Sequence, residues 1–479
     1  MVTSGRFRRR PMGLRGQWLR FSPAARIGIS FAGLIVVGGL LLSMPFATRV
    51  GTPPLAYIDA FFVSTSAVCV TGLSPIDVGA RLSPAGQGLL LLLIQTGGLG
   101  FLTLSTGLLL SMGGRTSLLA QNALQGSLSA GAGGDRLRRL LRVVFLTTIA
   151  IEWAGAAVLT VRFQQLCHLS WAKAIWMGAF HSVSAFCNAG FALFSPEYPG
   201  QQASLMAFSR DWIVNGTIGV LIVLGGLGFP VLDESLRWVR SRGSRRLGLH
   251  ARMVLSMSGA LIVLGAAAIL LLEYDNPKTL GGRAFHESVL AGLFQSITAR
   301  TAGFNTVDLS ALRSQTVMLL IVLMFIGGSP ASCAGGIKTT TAFVLAGLVF
   351  ARLRSRRNPT AFGREIDSEN VSRAGTLTLV ALVFVVLACG AVLFFQPLPE
   401  TPSRCQGGHF MDLLFETVSA FGTVGLSTGV TADLSAGARW VLIVSMFVGR
   451  VGPLTLFVTL ARPPREDRVR LPAESVVVG

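Results

Sequence analysis

Hydrophobic positions in this chain come in long runs. From about 27 to 46, and again near 86–111, 141–161, 212–232, 252–272, 315–350, 375–395 and 439–461, apolar residues follow one another with few charges. About 20 residues at 1.5 Å rise cross a hydrocarbon core of ~30 Å, so each run predicts a membrane-spanning helix. Arginines gather after every second run: Arg136, Arg138, Arg139 and Arg142, then Arg237, Arg240, Arg242, Arg245 and Arg246, then Arg352, Arg354, Arg356 and Arg357, and finally Arg462, Arg465, Arg468 and Arg470. Positive charge marks the cytoplasmic side, which puts these connections and both termini inside. Arginines also precede the first run, as in a signal peptide, but that run is long enough to span and a cleaved leader is the weaker reading.

The outer connections are different. Each holds a semi-apolar piece, at 57–69, 171–187, 287–299 and 410–422, too short to cross and too apolar for a solvated loop. Such pieces predict re-entrant half-helices. The chain therefore reads as span, half-span, loop and span, four times over. The expected repeats are 27–112, 139–235, 250–352 and 374–462, between a cytoplasmic N-terminus at 1–26 and a tail at 463–479.

One glycine aligns the repeats. It lies in Val70-Thr71-Gly72, Asn188-Ala189-Gly190, Thr301-Ala302-Gly303 and Thr423-Val424-Gly425, at intervals of 118, 113 and 122 residues. Six positions before it stand Ser66, Ser184, Ile297 and Ser419, then Ala67, Ala185, Thr298 and Ala420. Lipid cannot satisfy irregular backbone, so four such loops must be buried or line a shared aqueous axis. A ring of carbonyls there replaces the hydration shell of an alkali cation. Glycine supplies the dihedrals that turn adjacent carbonyls, and half-helix C-termini aimed at the axis favour a cation over an anion. Any one of these glycines taken alone reads equally as a packing or turn residue.

A second segment breaks the sixth run. Gly327-Gly328-Ser329-Pro330-Ala331-Ser332-Cys333-Ala334-Gly335-Gly336-Ile337-Lys338 is interrupted by glycines and a proline that no helix continues cheaply, at about 1 and 3 kcal/mol each. A loop at 327–341 has to face the cavity, where it can swing to block or open it; the plain alternative is a proline kink. Lys338 either holds the loop by its charge or reaches the cytoplasm. Arg450 falls near the middle of the last run, where an unpaired charge costs at least ~2.5 kcal/mol, so it faces inward. There it raises a barrier to cations or pairs with an acid between helices.

Other polar residues carry weaker signals. Arg300 is expected to bind loop carbonyls or to pair with Glu416. Asp59 and Asp412, thirteen residues before their glycines, read as caps at half-helix N-termini. Glu152 and His181 are functional candidates or satisfied interior groups.

Taken together, the loops at Ala299–Phe304 and Thr423–Ser427 resemble the selectivity filters of the Trk/Ktr/HKT potassium transporter superfamily, and the segment after Gly327 resembles its intramembrane gate. The resemblance covers roughly 27–462, and the eight-span pattern is nearest the KtrB type. It implies an all-α integral membrane protein with four helix, pore-helix, helix repeats around one central pore, as in a potassium channel. It implies potassium uptake across a bacterial cytoplasmic membrane, with K+ as the transported ion and Na+ dependence left open. Filter residues would be Val70, Thr71, Gly72, Asn188, Ala189, Gly190, Thr301, Ala302, Gly303, Thr423, Val424 and Gly425. Gate residues would be Gly327, Gly328, Ser329, Ala331, Gly335, Gly336, Lys338 and Arg450. A homodimer and a cytoplasmic nucleotide-binding ring of the RCK type are implied as partners, by resemblance alone.

Composition agrees with a bilayer protein. The 479 residues are 51% hydrophobic and 13% charged, where a soluble domain has about 25%. The net charge of +19 lies in the arginine clusters between runs, so membrane lipid or a partner ring, and no nucleic acid, is the expected contact. Six cysteines show no paired spacing, and no HExxH, phosphate loop or nucleophile-plus-base pattern suggests an enzyme. The competing transport reading, an alternating-access carrier for another small cation, predicts two symmetric halves with midplane carboxylates.

Overall fold

A computed structural model describes residues 23–111, 133–194, 204–242, 244, 246–356, 358–396, 403–404 and 406–452. Most of the expected N-terminal segment, the tail after 462 and the arginines at 245, 357 and beyond 452 lie outside these. The described residues are almost entirely helical. The first block holds α1 (Pro23–Leu42), α2 (Tyr57–Val68) and α3 (Pro84–Ser111), and the second α4 (Gly133–Cys167), α5 (Trp171–Phe186) and α6 (Trp212–Leu227), followed by α7 (Phe229–Arg240). The third holds α8 (Leu249–Glu273), α9 (Phe285–Thr298), α10 (Ser314–Phe325) and α11 (Thr339–Leu353). After a two-residue hairpin, β1 (Thr360–Ala361) against β2 (Arg364–Glu365), the fourth holds α12 (Ser368–Phe395), α13 (Gly408–Gly422) and α14 (Ala436–Val451).

Three helices of the described residues, Arg142–Cys167 within α4, α8 and α12, are by themselves long and apolar enough to cross a membrane. The pair α6 and α7 meets that test together but is bent by 109°. The bend falls at Gly228, whose φ of +85° is open to glycine and strained for other residues. A further break separates α10 from α11, where the run at 315–350 loses its helix over the Gly327–Ile337 stretch.

Packing closes the blocks into a circle. In each block the first helix lies along the short one. The second helix of each block also packs on the short helix of the next: α3 on α5, α6 on α9, α10 on α13, and α14 back on α2. Across that last joint Arg439 of α14 pairs with Asp59 of α2. The short helices are buried along most of their length, so the polar groups they carry, Ser64, Thr65 and Ser66 on α2 and Asp412, Glu416 and Ser419 on α13, are enclosed with them. Close approach needs glycine at three places. A Cβ on Gly97, Gly225 or Gly449 would lie 2.1, 1.9 and 1.8 Å from the carbonyl oxygens of Val68, Phe186 and Phe421 at the ends of α2, α5 and α13.

Candidate functional site: a ring of four glycine loops

Each short helix runs into an extended loop, and the four loops meet. A Cβ on Gly72 would lie 2.6 Å from the Ala189 carbonyl oxygen, and one on Gly190 equally near that of Ala302. One on Gly303 would lie 2.6 Å from the Val424 oxygen, and one on Gly425 2.1 Å from that of Thr71. The order, first block to second to third to fourth and back to the first, is a closed ring. All twelve loop residues expected from the sequence are therefore in one place.

Backbone conformation repeats as well. The glycines have φ of +98°, +68°, +81° and +91°, and Val70, Asn188, Thr301 and Thr423 also have positive φ, between 51° and 73°. The residue between each pair does not. Alternating left- and right-handed residues bring successive amide groups to one side of the strand and successive carbonyls to the other. Four β-branched or amide side chains in the left-handed region cost about 1–3 kcal/mol each, a strain that only a fixed surround maintains.

Hydroxyl groups supply part of that surround. The N–H of Gly72 donates to Ser66 Oγ at 3.0 Å and that of Gly425 to Ser419 Oγ at 3.1 Å. Ser184 Oγ donates to the Phe191 carbonyl at 2.8 Å. The third block has Ile297 at the aligned position, and Thr298, one residue later, donates instead to Phe304 O at 2.6 Å. The recurring small residues before each loop are thus a hydroxyl brace, a role their size alone did not reveal.

Below the ring lies the 327–338 segment. An added Cβ on Gly335 would lie 2.3 Å from Thr423 Oγ1, so no side chain fits there between segment and ring, and Gly336 packs against Gly422. The segment is stitched to the end of α6: Ser329 N–H donates to Gly226 O at 3.0 Å, Cys333 N–H to Gly225 O at 3.3 Å, and Phe229 N–H to Ala331 O at 3.2 Å. Lys338 Nζ turns back onto its own segment, donating to Ala334 O at 2.6 Å and Gly335 O at 3.4 Å. Of its two expected placements, the charge contact is the one found. Arg450, 2% exposed, donates from Nη1 to the Cys333 carbonyl and from Nη2 to Gly97 O at 2.9 Å. It joins the segment to the first block through these two backbone carbonyls.

The remaining candidates stand behind the ring. Arg300 does not reach Glu416: it donates to the Ser258 carbonyl at 3.3 Å and Ser258 Oγ at 3.1 Å on α8, while Glu416 accepts from Ser427 and, at 3.0 Å, from Thr431. A loop arginine directed outward keeps its charge off the ring. Asp412 is no helix cap either, since it lies beyond the first turn of α13 and accepts from Ser403 Oγ and the Arg404 N–H. Asp59 is in the first turn of α2 but makes the ion pair with Arg439 instead of a cap bond. Glu152 accepts from Gln95 Nε2 at 3.1 and 3.2 Å. His181 bonds Met177 O through Nδ1 at 2.7 Å and accepts from Leu193 N–H through Nε2, which makes it a neutral staple.

The sequence matches the family model described as "TrkH: Cation transport protein" over residues 36–469. The chain belongs to the TrkH cation transport family. It is 35% identical to Ktr system potassium uptake protein B of Bacillus subtilis, over 97% of this chain and 98% of that protein. It is 37% identical to the protein of the same name from Vibrio alginolyticus, over 94% of each, and 35% identical to potassium/sodium uptake protein NtpJ of Enterococcus hirae, over 96% and 98%. Its fold is similar to the crystal structure of the potassium transporter TrkH from Vibrio parahaemolyticus, with a TM-score of 0.70 and 19% identity, over 92% of this chain and 86% of that one.

Within this TrkH-family chain, one further regularity was missed in the sequence. The second helices of the first two blocks carry Gly97-Gly98 and Gly225-Gly226, Gly327-Gly328 follows directly after the end of α10, and the second helix of the fourth block carries Gly449-Arg450. Arg450 therefore occupies the place that is glycine in three blocks. Aligning the second helices on their glycine pairs, as the loops were aligned, would have exposed it.

Proposed function

We propose that the ring is a potassium-selective filter and that this chain is the membrane subunit of a potassium uptake system in the cytoplasmic membrane. The closed contact of Gly72, Gly190, Gly303 and Gly425, each against the preceding carbonyl of the next block, carries the reading. The carbonyls at and before these glycines replace potassium hydration, and the C-terminal ends of α2, α5, α9 and α13 add their partial negative charge. Four helix, pore-helix, helix repeats surround that axis. The 327–341 segment is the gate, held across the path by the Cys333 carbonyl contact with Arg450. The guanidinium also places a fixed positive charge on the inner side of the filter, which lowers flux.

The names of the relatives support potassium, and one names sodium as well, so sodium dependence is part of the question to be measured. A homodimer, and a regulatory nucleotide-binding ring against the arginine-rich inner connections, complete the proposal. The test is cation flux into liposomes holding the purified chain, with potassium, rubidium, sodium and lithium compared for wild type and Gly303→Ser. Potassium and rubidium pass in wild type, and the variant loses flux or admits sodium. Equal passage of all four ions in wild type defeats the potassium assignment.

A further inference from the structure

The helix that continues α6 past its bend is used by nothing so far. α7 has apolar residues on one side, Val231, Leu232, Leu236 and Val239 with Trp238 at its edge, and Asp233, Glu234, Arg237 and Arg240 on the other. Only Val231 of the apolar side is fully buried, against Ala251 and Val254 of α8. Leu236, Trp238 and Val239 are 43%, 42% and 61% exposed. A helix 109° from its spanning partner lies close to the membrane plane, and this one leaves α6 at the arginine-rich, inner end. Tryptophan at a boundary between apolar and wet surroundings is the usual interfacial anchor.

Charge selects the partner. Arg237 is paired with Asp233 at 2.8 Å, and Glu234 accepts from the Gly248 N–H. Arg240, Arg242 and Arg246 are exposed and have no carboxylate partner among the described residues. Cations flanking an exposed apolar stripe fit phosphodiester headgroups above acyl chains.

We propose that α7 is an interfacial helix that binds anionic phospholipid of the inner leaflet and passes that contact to the 327–338 segment. The transmission is through backbone. Gly228 lets α7 begin against the segment, a Cβ there falling 2.5 Å from Pro330 O, and Phe229 N–H donates to Ala331 O. Two residues earlier Ser329 is bonded to Gly226. A tilt of α7 that follows headgroup binding therefore displaces Pro330 and Ala331 directly. The lipid contact stands by itself, whereas its effect on flux rests on the gate reading above.

Trp238 is the reporter. The full chain is reconstituted in phosphatidylcholine vesicles doped with brominated phosphatidylglycerol or brominated phosphatidylcholine, and the Trp238 signal is taken as the difference between wild type and Trp238→Phe. The brominated anionic lipid quenches more strongly, and the preference falls about fivefold per arginine removed in Arg240→Gln and in Arg240→Gln with Arg242→Gln. Equal quenching by both lipids, or none by either, overturns the lipid contact. Rubidium flux in the same vesicles differs between anionic and neutral lipid in wild type and not in the double variant. A retained quenching preference with flux indifferent to lipid overturns the coupling. Absence of flux in every vesicle counts against the pore reading, and the quenching still decides the contact. Protection of Trp238 from both lipids by an added cytoplasmic subunit assigns the face to a protein and overturns the proposal.

Discussion

Replacing Arg450 separates two things the guanidinium does at once. Its Nη1 holds the Cys333 carbonyl of the 327–338 segment, and its Nη2 holds Gly97 O at 2.9 Å in the first block. A hydrogen bond from a charged donor contributes about 1.5–3 kcal/mol. Losing the Cys333 contact therefore shifts the segment toward its open arrangement by about 10- to 150-fold, using 1.4 kcal/mol per factor of ten. The bonds of Ser329 and Cys333 to Gly226 and Gly225 at the end of α6, and that of the Phe229 N–H to Ala331 O, remain and keep the segment attached. Arg450→Ala is expected to raise rubidium flux by at least about tenfold in the absence of any regulatory partner. Arg450→Lys keeps the charge but presents one ammonium where the fork reached two carbonyls. If the tether dominates, lysine shows most of the alanine increase; if the electrostatic barrier dominates, lysine behaves as wild type. The assay is initial flux per reconstituted protein, with monodispersity and thermal unfolding checked for each variant. Flux at or below wild type in a folded Arg450→Ala protein would refute the account of this residue.

Three further outcomes follow from the same geometry. Gly425→Ala places a Cβ 2.1 Å from Thr71 O and abolishes flux, whereas Gly363→Ala, with φ of +79° and nothing within 4 Å, costs about 1–2 kcal/mol of stability and leaves flux unchanged. Asp59→Asn removes the pair that joins the fourth block to the first and lowers stability by about 1–2 kcal/mol, read as a lower unfolding temperature in detergent, without altering ion preference. His181→Phe leaves the Leu193 N–H without its acceptor and costs about 1–3 kcal/mol, again seen in thermal unfolding and not in ion preference.

Much of the ring was legible because its requirements are local. Of the two left-handed positions in each loop, the second has no room for a Cβ against the next loop's carbonyl and so demands glycine, and that glycine marks the register in all four blocks. The break at Pro330 and the inward face of Arg450 were legible for a similar reason, since proline and a mid-membrane charge each have few places to go. What the sequence concealed depends on partners distant in the chain. Arg300 was expected on loop carbonyls or near Glu416, yet packing of α9 against α8 offers Ser258, 42 residues earlier. Asp412 looked like a cap from its distance to Gly425, but α13 begins at Gly408, too early for that role. The run at 212–232 looked continuous because Gly228 sits among other glycines. The stretch after it looked like a charged connection because the apolar stripe of α7 is only half apolar by composition and shows itself only at helical spacing.

The central claim is that the four loops form one binding column for potassium. Anomalous diffraction from crystals grown in rubidium tests it without reference to rate, gating or partners. The account predicts density on the axis within the ring formed by the carbonyls of Thr71, Ala189, Ala302 and Val424, absent in crystals of Gly303→Ser. Rubidium bound elsewhere, at Glu152 for example, with the ring empty, would contradict it.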